Sequence, residues 1–93
     1  TSDVALKDEF DLQQLYLDIE AVRFPTRLVT VFDLPADLEE ARVPGMILQP
    51  LVENAIKYGV SRANRPVTVR IAARRLDNGV AISVTDDGDT IKG

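Results

Sequence analysis

Two stretches of alternating apolar and polar or small side chains restrict the fold more than any other feature of the sequence. They cover residues 67–72 and 80–85. Between them lies Leu76-Asp77-Asn78-Gly79, and Asn-Gly is the strongest short signal for a hairpin turn. The pattern therefore predicts two antiparallel strands with one apolar face.

The earlier part of the chain alternates between helical and strand patterns. The stretch from Asp8 to Arg23 has the spacing of an amphipathic helix, which Pro25 would end. Residues 27–34 are rich in β-branched side chains and predict a strand, and residues 36–42 predict a short helical turn. The apolar stripe of the helix would consist of Leu12, Leu15, Tyr16, Ile19 and Val22.

A second helical pattern covers residues 43–60 and contains a proline. Pro50 either kinks one helix or occupies the first turn of another, where its missing N–H costs little; we favour the second arrangement. Gly59 is a natural C-terminal stop. One apolar side would carry Met46, Ile47, Leu51, Ala55 and Tyr58, with Leu48 and Val52 flanking it. The order of elements predicts an α+β fold with helices on one face of a mainly antiparallel sheet.

Composition excludes several classes of function. The 93 residues allow one small domain, and the absence of cysteine and histidine removes disulfides, thiolate or imidazole metal sites and Ser-His-Asp triads. The 11 basic and 15 acidic residues give a net charge of -4, which argues against nucleic-acid binding through phosphates. The start is unlike a signal peptide, and no apolar run approaches the ~20 residues that span a bilayer. We expect a cytoplasmic protein.

One flank of the second helix is the first candidate site. Gln49, Glu53, Asn54 and Lys57 lie along it at helical spacing. Spacing alone favours a solvated Glu53–Lys57 ion pair. The chemical alternative gives Asn54 an amide oxygen suited to a Mg²⁺ ion that binds phosphates, and Lys57 a charge for those phosphates. Glu53 would orient or deprotonate an attacking group.

The strand end Asp86-Asp87-Gly88 is the second candidate site. Asp-Gly pairs usually mark a turn and nothing more. A carboxylate at a strand end can also accept a hydrogen bond from the exocyclic amine of adenine, and a following glycine lets a ring approach the backbone.

Together these segments resemble sensor histidine kinases, in particular the subfamily typified by autolysis-regulating sensor kinases. The N box of that family is similar to Gln49-Pro50-Leu51-Val52-Glu53-Asn54-Ala55-Ile56-Lys57-Tyr58-Gly59, and the apolar stretch before it is similar to Val43-Pro44-Gly45-Met46-Ile47-Leu48. The helix around Tyr16-Leu17-Asp18-Ile19-Glu20 also fits, and the first glycine box, usually Asp-x-Gly-x-Gly, resembles Asp86-Asp87-Gly88. The likeness covers roughly residues 5–88.

The resemblance implies a role for each matching residue of the N box. Asn54 would be the Mg²⁺ ligand, and Glu53 the catalytic carboxylate. Lys57 would reach the phosphates of ATP, and Tyr58 would pack against the adenine. From its helical position alone, Tyr58 could equally belong to the core.

In the first glycine box, the resemblance places Asp86 on the adenine amine and Gly88 beneath the base. It implies the Bergerat ATP-binding fold, a two-layer α/β sandwich with helices on one face of a mixed, mainly antiparallel sheet, shared with gyrase, mismatch-repair and heat-shock-chaperone ATPases. The implied partners are a phosphoacceptor and dimerisation domain outside this chain, a response regulator, and a second copy in a full-length homodimer. The domain would lie on the cytoplasmic side of an inner-membrane sensor.

The chain departs from the family at three points. Thr90 stands where the second glycine of the first glycine box is expected, no second glycine-rich loop follows, and no phosphoacceptor histidine occurs. We therefore expect residues 1–93 to form a single partial domain, the N-terminal part of the ATP-binding domain, inactive alone. Two alternatives are an ATPase of the gyrase or mismatch-repair class, in which Glu53 activates water, and a degenerate regulatory module.

The other charged groups have ordinary explanations. Arg70, Arg74 and Arg75 are expected to be solvated on an exposed strand. The acidic group Asp37, Glu39 and Glu40 is expected to form a solvated turn rather than a metal site.

Overall fold

The computed structural model describes residues 3–88, so Thr90 and the rest of 89–93 lie outside the described residues. The elements in chain order are β1 (Asp3–Ala5), α1 (Leu6–Arg23), β2 (Leu28–Asp33), a 3₁₀ turn (Ala36–Leu38), β3 (Arg42–Pro44), α2 (Gln49–Asn54), a π-helical turn (Ala55–Val60), β4 (Val67–Leu76) and β5 (Gly79–Asp86). β4 lies at the centre of a three-stranded sheet, parallel to β2 and antiparallel to β5. β1 and β3 form a separate antiparallel pair.

The predicted hairpin is confirmed, but its turn differs from the expected one. Leu76 pairs with Gly79, so the two turn residues are Asp77 and Asn78. In the described part of the chain, only Met46 among the non-glycine residues has a positive φ, and no glycine does. Asn78 therefore does not adopt the left-handed conformation of an Asn-Gly turn. The arrangement suits a turn in which glycine follows the two central residues.

The apolar stripe predicted for α1 is on the wrong side of the helix. The side that faces the core carries Leu6, Phe10, Gln13 and Leu17, all buried. The expected stripe is largely exposed, at 38% for Leu12, 60% for Leu15, 62% for Ile19 and 80% for Val22. Glu9 and Gln13 made the inner side look polar in the sequence, whereas hydrogen bonds to distant residues allow both to be buried.

The second helix begins at Gln49, so Pro50 lies in its first turn as predicted and no intrahelical N–H is lost. The helical prediction for residues 43–48 is wrong, because they form the end of β3 and a turn. The predicted apolar side of the helix is wrong except at Ala55, which is buried: Met46, Ile47, Leu51 and Tyr58 are exposed, whereas Leu48, Val52, Ile56 and Val60 are buried. Gly59 does not end the helix either. The π-helical turn continues through Val60, and Gly59 serves another purpose described below.

The core lies between the two helices and one face of β4. Alternate residues of that strand are buried, namely Val67, Val69, Ile71 and Ala73. Phe10 of α1 packs edge-on against Phe32 of β2, with ring centroids 6.2 Å apart. The chain is thus a small α/β domain with a mixed sheet and two helices. No helix of residues 3–88 combines the length and apolar character needed to cross a bilayer.

Candidate functional site

The polar flank of α2 and of the π-helical turn is exposed except at Gln49, which is half-buried. Val52, Ala55 and Ile56 are buried and hold the helix against the core. Glu53, Asn54, Lys57 and Tyr58 consequently project on the outer side and are all exposed. The Lys57 ammonium lies 5.2 Å from the ring centroid of Tyr58, and the Glu53 carboxylate accepts a hydrogen bond from Gln49 instead of forming the simple ion pair with Lys57.

Tyr58 belongs to the surface and not to the core. Its exposure is 49%. The guanidinium carbon of Arg62 lies 4.9 Å from the centroid of the same ring. Two cationic side chains, Lys57 and Arg62, therefore lie within cation–π distance of Tyr58. An exposed ring beside positive charge is suited to a ligand that is both flat and anionic.

The two candidate motifs meet at Gly59. A Cβ built on Gly59 would lie 2.6 Å from Oδ1 of Asp86, so a side chain there would collide with that carboxylate. A Cβ on Gly88 would lie 3.0 Å from Cα of Gly59. The end of β5 is therefore packed directly against the residue that follows Tyr58, and the absence of side chains at both glycines permits the contact.

Local hydrogen bonds fix the end of β5 in this position. The Gly88 N–H donates to Oδ1 of Asp86 at 3.0 Å. Asp87 forms a pair of contacts with Thr68 of β4: its Oδ1 accepts from the Thr68 N–H at 2.7 Å, and its own N–H donates to the Thr68 carbonyl at 3.2 Å. Arg65 donates to the carbonyl oxygen of Asp87. Asp87 thus anchors the segment after β5 to the sheet.

A buried polar network behind the flank was not predicted from the sequence. Glu9 is 3% exposed, and its carboxylate accepts from the N–H groups of Met46 at 2.8 Å and Leu48 at 3.3 Å. Gln13 is fully buried and donates from Nε2 to Oε1 of Gln49 at 3.0 Å. Nothing in the spacing signals these contacts, because Glu9 and Gln13 lie four residues apart, as two solvent-facing residues of a helix also would.

Tyr16 lies where α1 approaches Glu53. Burial raises the pKa of its phenol above the ordinary value of 10.0, and the negative charges of Glu20 and Glu53 raise that pKa further. The phenol is therefore neutral throughout the physiological range and places an uncharged group beside the Glu53 carboxylate.

Two of the arginines that were expected to be solvated form exposed ion pairs. Arg70 pairs with Asp33 at 2.6 Å, and Arg75 with Asp37 at 3.2 Å. All four side chains are exposed, which agrees with the expected solvated surface and with a small contribution to stability. Within residues 3–88, no group of three or more Asp, Glu, His or Cys side chains is arranged to hold a metal ion.

Two hollows occur elsewhere on the domain. One, of about 230 Å³, lies between α1 and β2 and is lined by Phe10, Asp11, Gln14, Phe32 and Leu34. The other, of about 250 Å³, lies on the open face of the sheet beside the Asp33–Arg70 pair. Neither is lined by a predicted site residue, so the candidate site is an exposed edge and not one of these hollows.

Comparison with known proteins was made with protein-family models and with curated sequences. No family model matches the chain. The chain is 34% identical over 90 residues to the sensor histidine kinase YesM of Bacillus subtilis, covering 97% of this chain and 16% of that protein. It is 38% identical over 84 residues to the sensor histidine kinase BtsS of Escherichia coli, covering 90% and 15%. It is 35% identical over 85 residues to the sensor protein LytS of Oceanobacillus iheyensis, covering 91% and 14%.

The chain therefore spans about 14–16% of the length of these relatives. YesM and BtsS are sensor histidine kinases and LytS is a sensor protein, and this similarity supports a relationship of the chain to the histidine kinase family.

Proposed function

We propose that this chain is the ATP-binding portion of a sensor histidine kinase that transfers the γ-phosphoryl group of ATP to a histidine outside the chain. The observation that carries the proposal is the contact of Gly59 with Asp86, because it joins the exposed flank of α2 to the end of β5. Residues from two distant parts of the sequence thereby line one exposed edge. In this proposal the domain has the Bergerat ATP-binding fold.

The chemistry of this edge fits Mg·ATP from one end to the other. Asp86 would accept a hydrogen bond from the adenine amine, with Gly88 giving the base access to the backbone. Tyr58 would contact the adenine. Asn54, about one helical turn earlier, would supply one oxygen to a Mg²⁺ ion held otherwise by water and phosphates. Lys57 would then neutralise phosphate charge.

Glu53 would act on the phosphoacceptor and not on the nucleotide. Its exposed carboxylate can orient the attacking imidazole or accept its proton. Bound Mg²⁺ would supply positive charge to the transferring phosphoryl group. In the proposed whole protein, the phosphoacceptor lies in a dimerisation domain, the full-length protein is a homodimer, and a response regulator receives the phosphoryl group. ATP availability places this domain on the cytoplasmic side of a membrane-bound sensor.

Autophosphorylation of the full-length protein tests the proposal through Asn54→Ala. We expect loss of Mg·ATP-dependent phosphohistidine formation, about 100-fold or more, because the Mg²⁺ ion would lose its protein ligand. The folded state should persist, since Asn54 is exposed. Asn64→Ala, which removes an exposed amide from the loop before β4, is the matched control and should retain full activity.

Normal autophosphorylation in Asn54→Ala would contradict the proposed role of this residue. Release of inorganic phosphate without any phosphohistidine would instead indicate an ATPase of the same fold, with water as the attacking group activated by Glu53. Absence of nucleotide binding at millimolar ATP in the unaltered full-length protein would indicate a regulatory module without catalysis.

A further inference from the structure

A chain of side-chain hydrogen bonds connects the buried side of α1 to the exposed Glu53 carboxylate. Gln13 donates from Nε2 to Oε1 of Gln49 at 3.0 Å, and Gln49 donates from Nε2 to Oε2 of Glu53 at 2.9 Å. Exposure rises along the path: Gln13 is fully buried, Gln49 is half-buried and Glu53 is exposed. The path thus runs from a fixed point in the core to the proposed site.

The direction of these hydrogen bonds follows from the two ends of the Gln49 amide. An amide has an oxygen that accepts and a nitrogen that donates. Because Gln13 presents its NH₂ group to the Gln49 oxygen, the Gln49 NH₂ group is directed at Glu53. A donor therefore faces the carboxylate, which restrains Oε2. Rotating the Gln49 amide by half a turn would place an oxygen against Oε2 and a nitrogen against the Gln13 NH₂ group, which is unfavourable at both ends.

Gln13 is an unfavourable residue for a position with only a structural role. Its Oε1 is buried and has no hydrogen-bond partner among residues 3–88. A buried polar atom without a partner destabilises the folded state, whereas an unbranched apolar side chain of similar length would fill the same space without that cost. Stability alone therefore favours an apolar residue here, and the glutamine is better explained by what it does to Gln49.

A second anchor from the same helix holds the backbone that precedes α2. The buried Glu9 carboxylate accepts from the N–H groups of Met46 and Leu48, and Met46 has the positive φ of 65°. Glu9 and Gln13 are one turn apart on α1. Glu9 of α1 thus holds the backbone just before α2. One turn further along α1, Gln13 holds the side chain of Gln49.

We propose that Gln49 and Gln13 are positioning residues for Glu53. Gln49 restrains one carboxylate oxygen and leaves the other for the group that attacks the phosphoryl; Gln13 fixes which end of the Gln49 amide faces Glu53. Neither touches the nucleotide. This inference rests on the proposed function and adds residues on α1 and at the start of α2 to the machinery of phosphoryl transfer.

The test compares Gln49→Met and Gln13→Met in the full-length protein. Both changes keep the length of the side chain and remove the amide. We expect the first to lower the rate of phosphohistidine formation about tenfold, since an unrestrained carboxylate spends less time aligned with its target, and the second to lower it severalfold. The Kd for Mg·ATP should stay within about twofold of the unaltered value. Gln14→Met is the matched control, because Gln14 is exposed and its amide donates to Asp18 of the same helix.

Thermal unfolding separates positioning from a structural role. Gln13→Met should leave Tm unchanged or raise it, because the unpartnered Oε1 is removed, even though the rate falls. A fall in the Tm of Gln13→Met that parallels the fall in rate would overturn the inference. Gln49→Met should itself lower Tm, because it leaves the buried Nε2 of Gln13 without its acceptor, so its rate is compared well below its own Tm.

The Glu53→Ala background separates this inference from the proposed function. If Gln49 acts through Glu53, Gln49→Met should cause no further loss once Glu53 is removed. Equal losses with and without Glu53 would overturn the positioning role while leaving the proposed function standing. If Glu53→Ala itself retained the full rate, the proposed role of Glu53 would fail and this inference would fail with it.

Discussion

At the scale of single residues, the close contact of Gly59 with the Asp86 carboxylate joins the two candidate motifs. Because Gly59 has no side chain, the Asp86 carboxylate can pack against the π-helical turn. The sequence had instead predicted that Gly59 ends the helix. Its φ is not positive, so backbone freedom is not the reason for glycine here. Close approach is the reason, and a close approach between residues so far apart in the chain leaves no trace in local spacing.

Gly59→Ala tests this contact. In an ordinary helix the change would stabilise the folded state by up to about 1 kcal/mol. Here the new Cβ would displace the Asp86 carboxylate, so we expect that gain to be lost and the Kd for ATP to rise about tenfold. Chemical denaturation and nucleotide titration measure the two effects.

The control for this prediction is the same change in an Asp86→Ala background. There the collision is absent, and Gly59→Ala should recover the ordinary gain in helix stability. An equal stabilisation in both backgrounds would show that Asp86 does not press against Gly59.

At the scale of elements, the strand positions and the place of Pro50 were predicted correctly, whereas the hairpin turn, the helix stop at Gly59 and the buried sides of both helices were not. The strand positions of the hairpin and the place of Pro50 follow from alternation and from the missing proline N–H. The buried sides of α1 and α2 could not be predicted in the same way. Each helix has apolar residues on two sides, and the polar residues Glu9 and Gln13 occupy the inner side because their partners come from residues 46–49.

Two leucines of one short segment distinguish the buried side of α2 from the exposed one. Leu48 is fully buried, whereas Leu51 is 46% exposed. Leu48→Ala should lower the free energy of unfolding by about 2–5 kcal/mol through lost burial and a cavity. Leu51→Ala should change it by no more than about 0.5 kcal/mol.

Equilibrium denaturation with urea measures both variants under the same conditions. The reverse order, with Leu51→Ala the more destabilising, would restore the side that the sequence pattern favoured. It would also remove the reason for expecting Glu53 and Asn54 to project from the domain.

At the scale of the whole molecule, the site is a consequence of topology. β4 is the central strand, its neighbour β5 ends beside the π-helical turn, and the helices cover the face of β4 that carries Val67, Val69 and Ile71. The sequence supplied the two motifs and their resemblance to a family. It did not supply their distance in space, because that distance depends on where the hairpin packs against α2.

The two motifs are expected to bind different parts of Mg·ATP, so their loss should affect ATP binding differently. Asp86 would bind the adenine, so its loss should weaken ATP binding with or without the metal. Asn54 would act through Mg²⁺, so its loss should matter only when the metal is present. Removing Mg²⁺ with a chelator therefore separates the roles of the two residues.

The most direct measurement of this account is the Kd for ATP in the full-length protein, with and without Mg²⁺, for the unaltered chain, Asn54→Ala and Asp86→Asn. We expect Asp86→Asn to weaken binding at least tenfold in both conditions, and Asn54→Ala to weaken it only with Mg²⁺. If Asp86→Asn left the Kd unchanged in both conditions, the exposed edge between α2 and β5 would not be the nucleotide site.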